Sequence, residues 1–571
     1  MKPSVYNVYQ DFIWKEQNVN LASTLYNMPP LTLDSLHERI PTLKKEYRET
    51  LWHIEDRMDQ LEKALISINQ DLHCLNPEVE SNICLLRDGA IEAAHQSVVL
   101  GGPSYILNKA VTANQVAKFC QDKGIDIGVF FCVADYDSVQ SELTNIRIPV
   151  MGSGGTLISI PTPEGFEFSP VNVIPLPRKD WYDKVEDDIR DSYRPMFKPL
   201  EGPKRLVFEE RLEQALAVSR WGFLNSKTLG EWAMRIMGRL FNIEGNLGIP
   251  LVPASTPEVR DLLIEGMELL LDRSNRERMI DTFNDVTSLI ESNGYNPGVG
   301  PRATDYVPFF YECPEKECNS ARTELHYEDH GSTAVLTGKC PICSENIEIE
   351  TPSESPYLGD IARHISPRVD SRQLVIDTII PTMAHIGGPG ETAYYAQVIP
   401  SAKAMGLPFP EFIKYPRVYF NTPWNESLAK SLEEKDIKVL HGSNLFSSLG
   451  KLSRFRKKNR FEDMNEELVN FTNLLLTTHS DLNRKLAEID TDIGQSSKDE
   501  IEFLQSLKLE IERYLSWTFG QYAEEKFGQE SSWSWIEWAI NSGFVDLFGP
   551  YERAYVGQMK NGATVFVNFS I

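Results

Sequence analysis

From about Leu31 to Leu75 apolar residues recur three and four positions apart, as at Leu51, Ile54, Met58, Leu61 and Leu65. That period predicts an amphipathic helix with one face on a core. The pattern then changes. Gly101, Gly102 and Pro103 interrupt it, a helix of about fifteen residues runs to Lys123-Gly124, and IDIGVFFCVADYD reads as a buried parallel strand ending at Asp135 and Asp137. IPVMGSGGTLISIP adds a strand and a turn, where Ser153, Gly154 and Gly155 suit a hairpin turn or a phosphate nest, the hairpin being the simpler reading. Asp180 to Ser292 is mostly helical, with GNLGIPLVPA as a short strand of the same sheet.

A second unit of the same kind lies later. LVIDTII predicts a buried strand over Leu374 to Ile380, followed by Gly387, Gly388, Pro389 and Gly390, with Glu391 and Thr392 opening a helix. Strand, glycine-rich turn and helix in that order can aim backbone N–H groups at an anion. Glycine there implies φ > 0 and close approach of a ligand, although an ordinary tight turn accounts for the residues equally well. The α/β pattern runs from about Ile365 through FIKYPRVYF to residue 448. Two heptad runs follow, Leu482, Leu486, Ile489 and Ile493, then Leu504, Leu507, Ile511 and Tyr514, joined by IGQSSKD. They predict a helical-hairpin coiled coil that pairs with a second copy or packs on its own domain. The aromatic-rich WSWIEWAINSGFVDLFGPYERAYVGQ is expected to dock back on the globular part.

These elements predict an α/β chain, a Rossmann-like core with helical connecting segments. The expected divisions are 1–200 for an N-terminal helix and first part of the core, 201–300 for a helical connecting segment, and 301–360 for a zinc-ribbon-like insert. Then come 361–455 for the second part of the core, 456–520 for the coiled-coil hairpin and 521–571 for a docking segment. The length of 571 residues suits several domains. No apolar run approaches the roughly 20 residues of a membrane span, and the N-terminus lacks a signal-peptide core. A cytoplasmic protein with no membrane role is expected. The net charge of −25 argues against nucleic acid as the main partner. RFRKKNR, Arg454 to Arg460, is the one dense basic stretch, read as a solvated helix start or loop.

Cys74, Cys84, Cys120 and Cys132 are scattered among apolar residues and read as buried reduced thiols. Cys313/Cys318 and Cys340/Cys343 are two short-spaced pairs with 21 residues between them. Four thiolates so arranged suit a closed, structural tetrahedral Zn²⁺ site. The five-residue step of the first pair is looser than the usual one. His326 and His330 lie between the pairs and are expected to stay outside the shell.

The candidate chemistry gathers at the glycine turns. Gly101–Gly102 and Gly387, Gly388 and Gly390 are candidate N–H cradles for ATP or ADP phosphates. Lys109, His385, Arg368 and Arg417 can hold phosphate or carboxylate charge, and Asp135, Asp137 and Glu391 can hold an ammonium or take its proton. Each has a plain alternative: Lys109 as a solvated helix residue, His385 as a satisfied structural histidine. Tyr394 and Tyr395 divide between packing and lining. No GxxxxGK[ST], dinucleotide GxGxxG, HExxH or GxSxG is present.

HQSVVLGGPSYILNKAVTA, GVFFCVADYDSVQ, ISPRVDSRQLVIDTIIPTMAHIGGPGETAYYAQ and the late hairpin resemble, in that order, the bacillithiol biosynthesis cysteine-adding enzymes. The resemblance covers most of the chain. It implies a Rossmann-like core, a coiled-coil arm making a homodimer, and an amide-forming reaction between cysteine and glucosaminyl malate. By the same resemblance His95, Gln96, Tyr105, Tyr394, Tyr395 and Gln397 join the glycine turns, Lys109, Arg368 and Arg417 as binding residues, and Asp135, Asp137, His385 and Glu391 are the catalytic candidates. The chain departs from the family in having His95-Gln96 for Gln-Gln, Ala134-Asp135-Tyr136-Asp137 for Glu-Asp-His-Asp, and the four-cysteine insert. The expectation is a ligase joining cysteine, or a similar amino acid, to an amino-sugar conjugate. The rival expectation is a non-catalytic scaffold that uses zinc ribbon and coiled coil on a relic core.

Overall fold

In the computed structural model, which describes residues 2–51, 54–149, 155–198, 200, 202–519, 529–555 and 560–569, five parallel strands organise the core. They are β1 (Ala90–Gln96), β2 (Gly128–Ala134), β3 (Leu251–Pro253), β4 (Thr382–Gly387) and β5 (Glu411–Lys414). Their spatial order is 5-4-1-2-3, every neighbour parallel. The sheet therefore grows outward in both directions from β1, the doubly wound Rossmann-like order whose switch point lies between β1 and β4. Every residue of β2 and of β4 is buried. This is why GVFFCVA reads as a continuous apolar run and not an alternating one.

Helix α1 (Tyr105–Asp122) follows β1, α2 (Pro257–Leu271) and α3 (Arg273–Ser292) follow β3, and α4 (Pro389–Met405) follows β4. The N-terminal periodic stretch forms two helices, Leu33–Thr50 and Ile54–Asp71. Leu374 to Ile380 is not a strand: Arg372–Ile376 is a short helix, and the strand begins only at Thr382. A short buried apolar run fits either state, and here Pro381 marks the entry to β4.

Between α3 and β4 the chain makes a separate antiparallel sheet. Strands Tyr306–Glu312, Arg322–Asp329, Thr333–Lys339 and Asn346–Pro352 run in sequence, with Ile365–Pro367 added beside the first. The four clustered cysteines sit on its loops. The hairpin Asn145–Ile148/Thr156–Ser159 is a third, small sheet. Of the turn between its strands, Gly155 is described; Ser153 and Gly154 lie outside the described residues.

The heptad runs are helices. Phe461–Ile493 (α6) and Lys498–Phe519 (α7) bury Leu482, Ile489, Leu507, Ile511 and Tyr514 against Leu428 and Leu432 of helix α5 (Pro423–Glu433) in the same chain. The basic stretch Arg454–Arg460 ends one helix, Gly442–Lys457, turns over Lys458 and Asn459, and reaches the N-cap of α6 at Arg460. Arg456 is buried and donates to the carbonyls of Ile13, Asn561 and Gly562. The aromatic C-terminal segment packs inward, with Trp535 Nε1 donating to Leu100 O at 2.7 Å; its residues 556–558 lie outside the described residues. Cys74, Cys120 and Cys132 are buried as expected, but Cys84 is exposed. Among the described residues no helix is long and apolar enough to cross a membrane.

Candidate active site

At the C-terminal ends of β1 and β4 the chain leaves in opposite directions, and a cavity of about 1360 Å³ opens there. Such crevices are where open α/β sheets hold ligands. The volume exceeds the several hundred Å³ of an ordinary small-molecule site, leaving room for two reactants. The first unit contributes His95, Gln96, Tyr105 and Lys109, and the second contributes Gly388, Gly390, Glu391 and Tyr394.

Lys109 is no solvated helix residue. It is 3% exposed, and its ammonium donates to Ala94 O at 2.9 Å and to both oxygens of Glu391 at 2.8 and 2.7 Å. Glu391 is the third residue of α4, and its Oε2 also accepts the Gly388 N–H at 2.6 Å, closing a capping box. The chain's own carboxylate thus occupies the helix N-terminus expected to cradle phosphate. Burial is the largest influence on the Glu391 carboxyl and would raise it, but Lys109 and His385 outweigh burial and hold it below its ordinary value. Burial likewise lowers the Lys109 ammonium, against the pull of Glu391.

Behind Glu391 lies His385, 1% exposed and outside the cavity lining. Its Nε2 is 3.5 Å from Glu391 Oε1, and its Nδ1 is 3.1 Å from Glu92 Oε2. Glu92 sits directly across from His385 in the β1–β4 register. Burial would lower this imidazole, but the two carboxylates outweigh it and raise it. Glu92, His385, Glu391 and Lys109 form one line of acidic and basic groups in alternation, from the sheet to the cavity edge.

His95 differs. Burial, reinforced by Lys109, pushes it down to about 3, so the ring is neutral. Its Nδ1 lies 2.9 Å from Gln96 O, which can only accept, so Nδ1 carries the proton and Nε2 accepts from the Tyr105 hydroxyl at 2.5 Å. Gln96 Nε2 donates to Asp137 Oδ2, and Asp137 lines the cavity. Tyr394 also lines it, its hydroxyl accepting from Arg372 at 3.1 Å, while Tyr395 packs behind and donates to Gln373 Oε1.

Several expected site residues lie elsewhere. Asp135 is buried off the cavity, accepting the Ser255 N–H at 3.1 Å, and burial raises its carboxyl to about 6. Gly101 and Gly102 do have positive φ, 75° and 83°, but their N–H groups bond Val98 O and Val99 O within the turn. Gly387, Gly388 and Gly390 have no positive φ. What demands glycine at 387 is the Phe412 ring, 2.5 Å from where a Cβ would stand. Arg368 stacks on Phe310 and pairs with Glu324, Arg417 donates to the Tyr419 hydroxyl oxygen, and Gln397 ties α4 to Thr287 and Val299. None of these three lines the cavity. Two further charged residues at the site carry only faint local signals in the sequence. Glu92 is a lone carboxylate within apolar AIEAAH, a signal of a paired buried charge, and Arg372 stands just ahead of LVIDTII.

The cysteine cluster is separate. The four sulfurs lie within 4.8 Å of one another, with Cys318 and Cys340 sulfurs 3.8 Å apart, so the group could hold a metal ion. His326 and His330 are outside it, contacting Asp305 and Glu328.

Residues 203–418 match the family model for "Bacillithiol biosynthesis BshC, N-terminal Rossmann-like domain". A Natranaerobius thermophilus protein named "Putative cysteine ligase BshC" is 25% identical over 434 residues, covering 72% of this chain and 70% of its own. A Bacillus cereus protein of the same name is 21% identical over 491 residues, covering 85% and 82%. Over most of its length the chain is similar to BshC proteins, at low identity. The BshC match takes in β3, β4 and β5, and with them Arg372, His385, Glu391 and Tyr394. It also spans the cysteine sheet.

Proposed function

We propose that the chain is a carbon–nitrogen ligase of low-molecular-weight thiol biosynthesis. It would join the carboxyl of cysteine, or of a similar amino acid, to the amine of an amino-sugar conjugate such as glucosaminyl malate. The observation that carries this reading is the cavity at the β1/β4 switch point, large enough for two reactants and lined by groups of both signs. Arg372, with the Tyr394 hydroxyl beside it, suits a substrate carboxylate, because a guanidinium offers paired planar donors. Asp137 suits an ammonium. Neutral His95, with Nε2 facing Tyr105, gives that wall a polar group without a charge.

ATP would supply acyl activation in such a reaction, the carboxylate oxygen leaving on its phosphate as the amine forms the amide and gives up a proton. The residues do not fit the expected phosphate cradle, since Glu391 takes the Gly388 N–H and the turn takes those of Gly101 and Gly102. No step is therefore routed through a nucleotide. The cysteine cluster is read as a structural zinc site. A Zn–S bond of about 2.3 Å puts tetrahedral sulfurs about 3.8 Å apart, in accord with the Cys318–Cys340 spacing. The hairpin α6–α7 would pair two copies into a homodimer in the cytoplasm.

Thermal shift with cysteine, glucosaminyl malate, ATP and ADP, singly and together, tests this reading. A ligand at one hundred times its Kd adds about 2.7 kcal/mol, readily seen. The expected result is a shift with cysteine or the sugar conjugate, lost in Arg372→Gln, and an amide product by mass spectrometry. No shift with any ligand, in folded and metal-loaded protein, would move the reading to a scaffold.

A further inference from the structure

The cysteine sheet reaches the cavity wall through the Arg322 side chain. Arg322 opens the strand Arg322–Asp329, four residues after Cys318. Its guanidinium is 8% exposed and leaves the sheet for the core. There Nη1 lies 3.7 Å from Asp137 Oδ1 and donates to Ser138 Oγ at 3.3 Å. Below it are the rings of Phe310, at 4.2 Å, and Tyr136, at 5.7 Å. Asp137 and Tyr136 line the cavity, and the other oxygen of Asp137 takes the Gln96 amide. Arg322 therefore stands behind the acidic wall residue and fixes its direction.

Arg322 is in turn set by the cysteine loop. Ala321 N–H donates to Cys318 O and Cys313 N–H donates to Ala321 O, at 2.9 and 3.0 Å. Between them Asn319 and Ser320 both hold φ > 0, at 49° and 56°. Two adjacent left-handed residues without glycine are costly, and they persist where surrounding bonds over-determine them. Bridging of Cys313 and Cys318 by a metal would supply that constraint.

We propose that metal binding at Cys313, Cys318, Cys340 and Cys343 sets the position of Arg322, which makes Arg322 a positioning residue for Asp137. The cysteine sheet then acts as a strut for one wall of the substrate cavity. The proposal rests on the cluster holding a metal; it is independent of which substrates the cavity takes.

Backbone hydrogen exchange on the full chain tests it, with zinc content measured in parallel and no substrate needed. In zinc-loaded protein the segments 95–98 and 134–139 should be protected. Zinc removal by a chelator, and separately Arg322→Gln, should each speed exchange there about tenfold, as for loss of one buried charge-assisted contact. Exchange in β5 should not change. Chelator treatment of the Arg322→Gln variant should add nothing at 134–139, and Arg322→Lys should restore most of the protection. Faster exchange confined to 313–343 on zinc removal would overturn the coupling. Full protection at 134–139 in protein that binds no zinc would overturn it too, and an unchanged Arg322→Gln profile would remove the positioning role. A ligase assay that fails leaves these outcomes intact.

Discussion

Lys109 Nζ and Glu391 Oε2 lie 2.7 Å apart with side chains 4% and 13% exposed, joining α1 to α4 across the switch point of the sheet. Desolvating both charges costs several kcal/mol, so the pair itself is weak evidence of stability, but a lone survivor would be worse. Lys109→Met or Glu391→Gln alone is predicted to lower unfolding free energy by about 3–5 kcal/mol. The double variant should recover part of that loss in urea unfolding, while amide formation stays absent in all three. Recovery of activity in the double variant would make the pair scaffolding only.

The two glycine turns were visible in sequence because glycine runs interrupt periodic apolar patterns. Their use was not. A turn that offers N–H groups and a turn closed by its own Glu391 have the same local residues, and only the fold brings Lys109 beside the latter. The strand GVFFCVA and the four cysteines were legible for local reasons, burial on both faces and ligand spacing. Leu374–Ile380 predicts a strand yet opens as a short helix to Ile376, because a short apolar run lacks a period. Glu92 opposite His385 is a pairing of residues 293 positions apart that no local pattern encodes.

Arg372→Lys is predicted to preserve the fold and reduce kcat/KM by about 10–100-fold. The ammonium keeps the charge but loses the planar fork that reaches both Tyr394 and a substrate carboxylate. Steady-state kinetics against cysteine checks this. Equal activity in the two proteins would show that Arg372 contacts no substrate.

Glu537 gives a pH signature away from the site. It is fully buried in helix Trp535–Ser542, accepting from Tyr193 Oη at 2.8 Å and Asn541 Nδ2 at 2.9 Å, and burial raises its carboxyl from 4.5 to about 8. The folded state holds a proton that the unfolded state releases. Its stabilisation is thus complete below pH 4.5 and is lost as pH rises through about 8. Glu537→Gln should flatten the decline in urea midpoint over this window. An unchanged pH profile would exclude Glu537 as its source.

Zinc removal should act on the antiparallel sheet first. One zinc per chain is expected, and its loss should lower Tm by several degrees, because bound metal stabilises only the folded loops. Cys318→Ser, at a fully buried ligand, should abolish binding. Cys343→Ser, at the exposed ligand, should weaken it and leave a more labile metal. Calorimetry with metal analysis measures both.

Gly387 and Gly390 separate packing from ligand contact within a single turn. A Cβ at 387 would stand 2.5 Å from Phe412 ring carbons, whereas nothing lies within 4 Å of one at 390. Neither residue has positive φ, so backbone strain is not at issue. Gly387→Ala should therefore destabilise, by about 1–3 kcal/mol as in overpacked cores. Gly390→Ala, in the first turn of α4, should cost no stability and could add up to about 1 kcal/mol from helix propensity. Its methyl would enter the cavity beside Glu391. A rise in KM for one substrate, with Tm unchanged or higher, is the expected result and would identify which reactant lies against this turn. Unaltered kinetics with both substrates would mean that the reactants sit nearer Asp137 and Arg372.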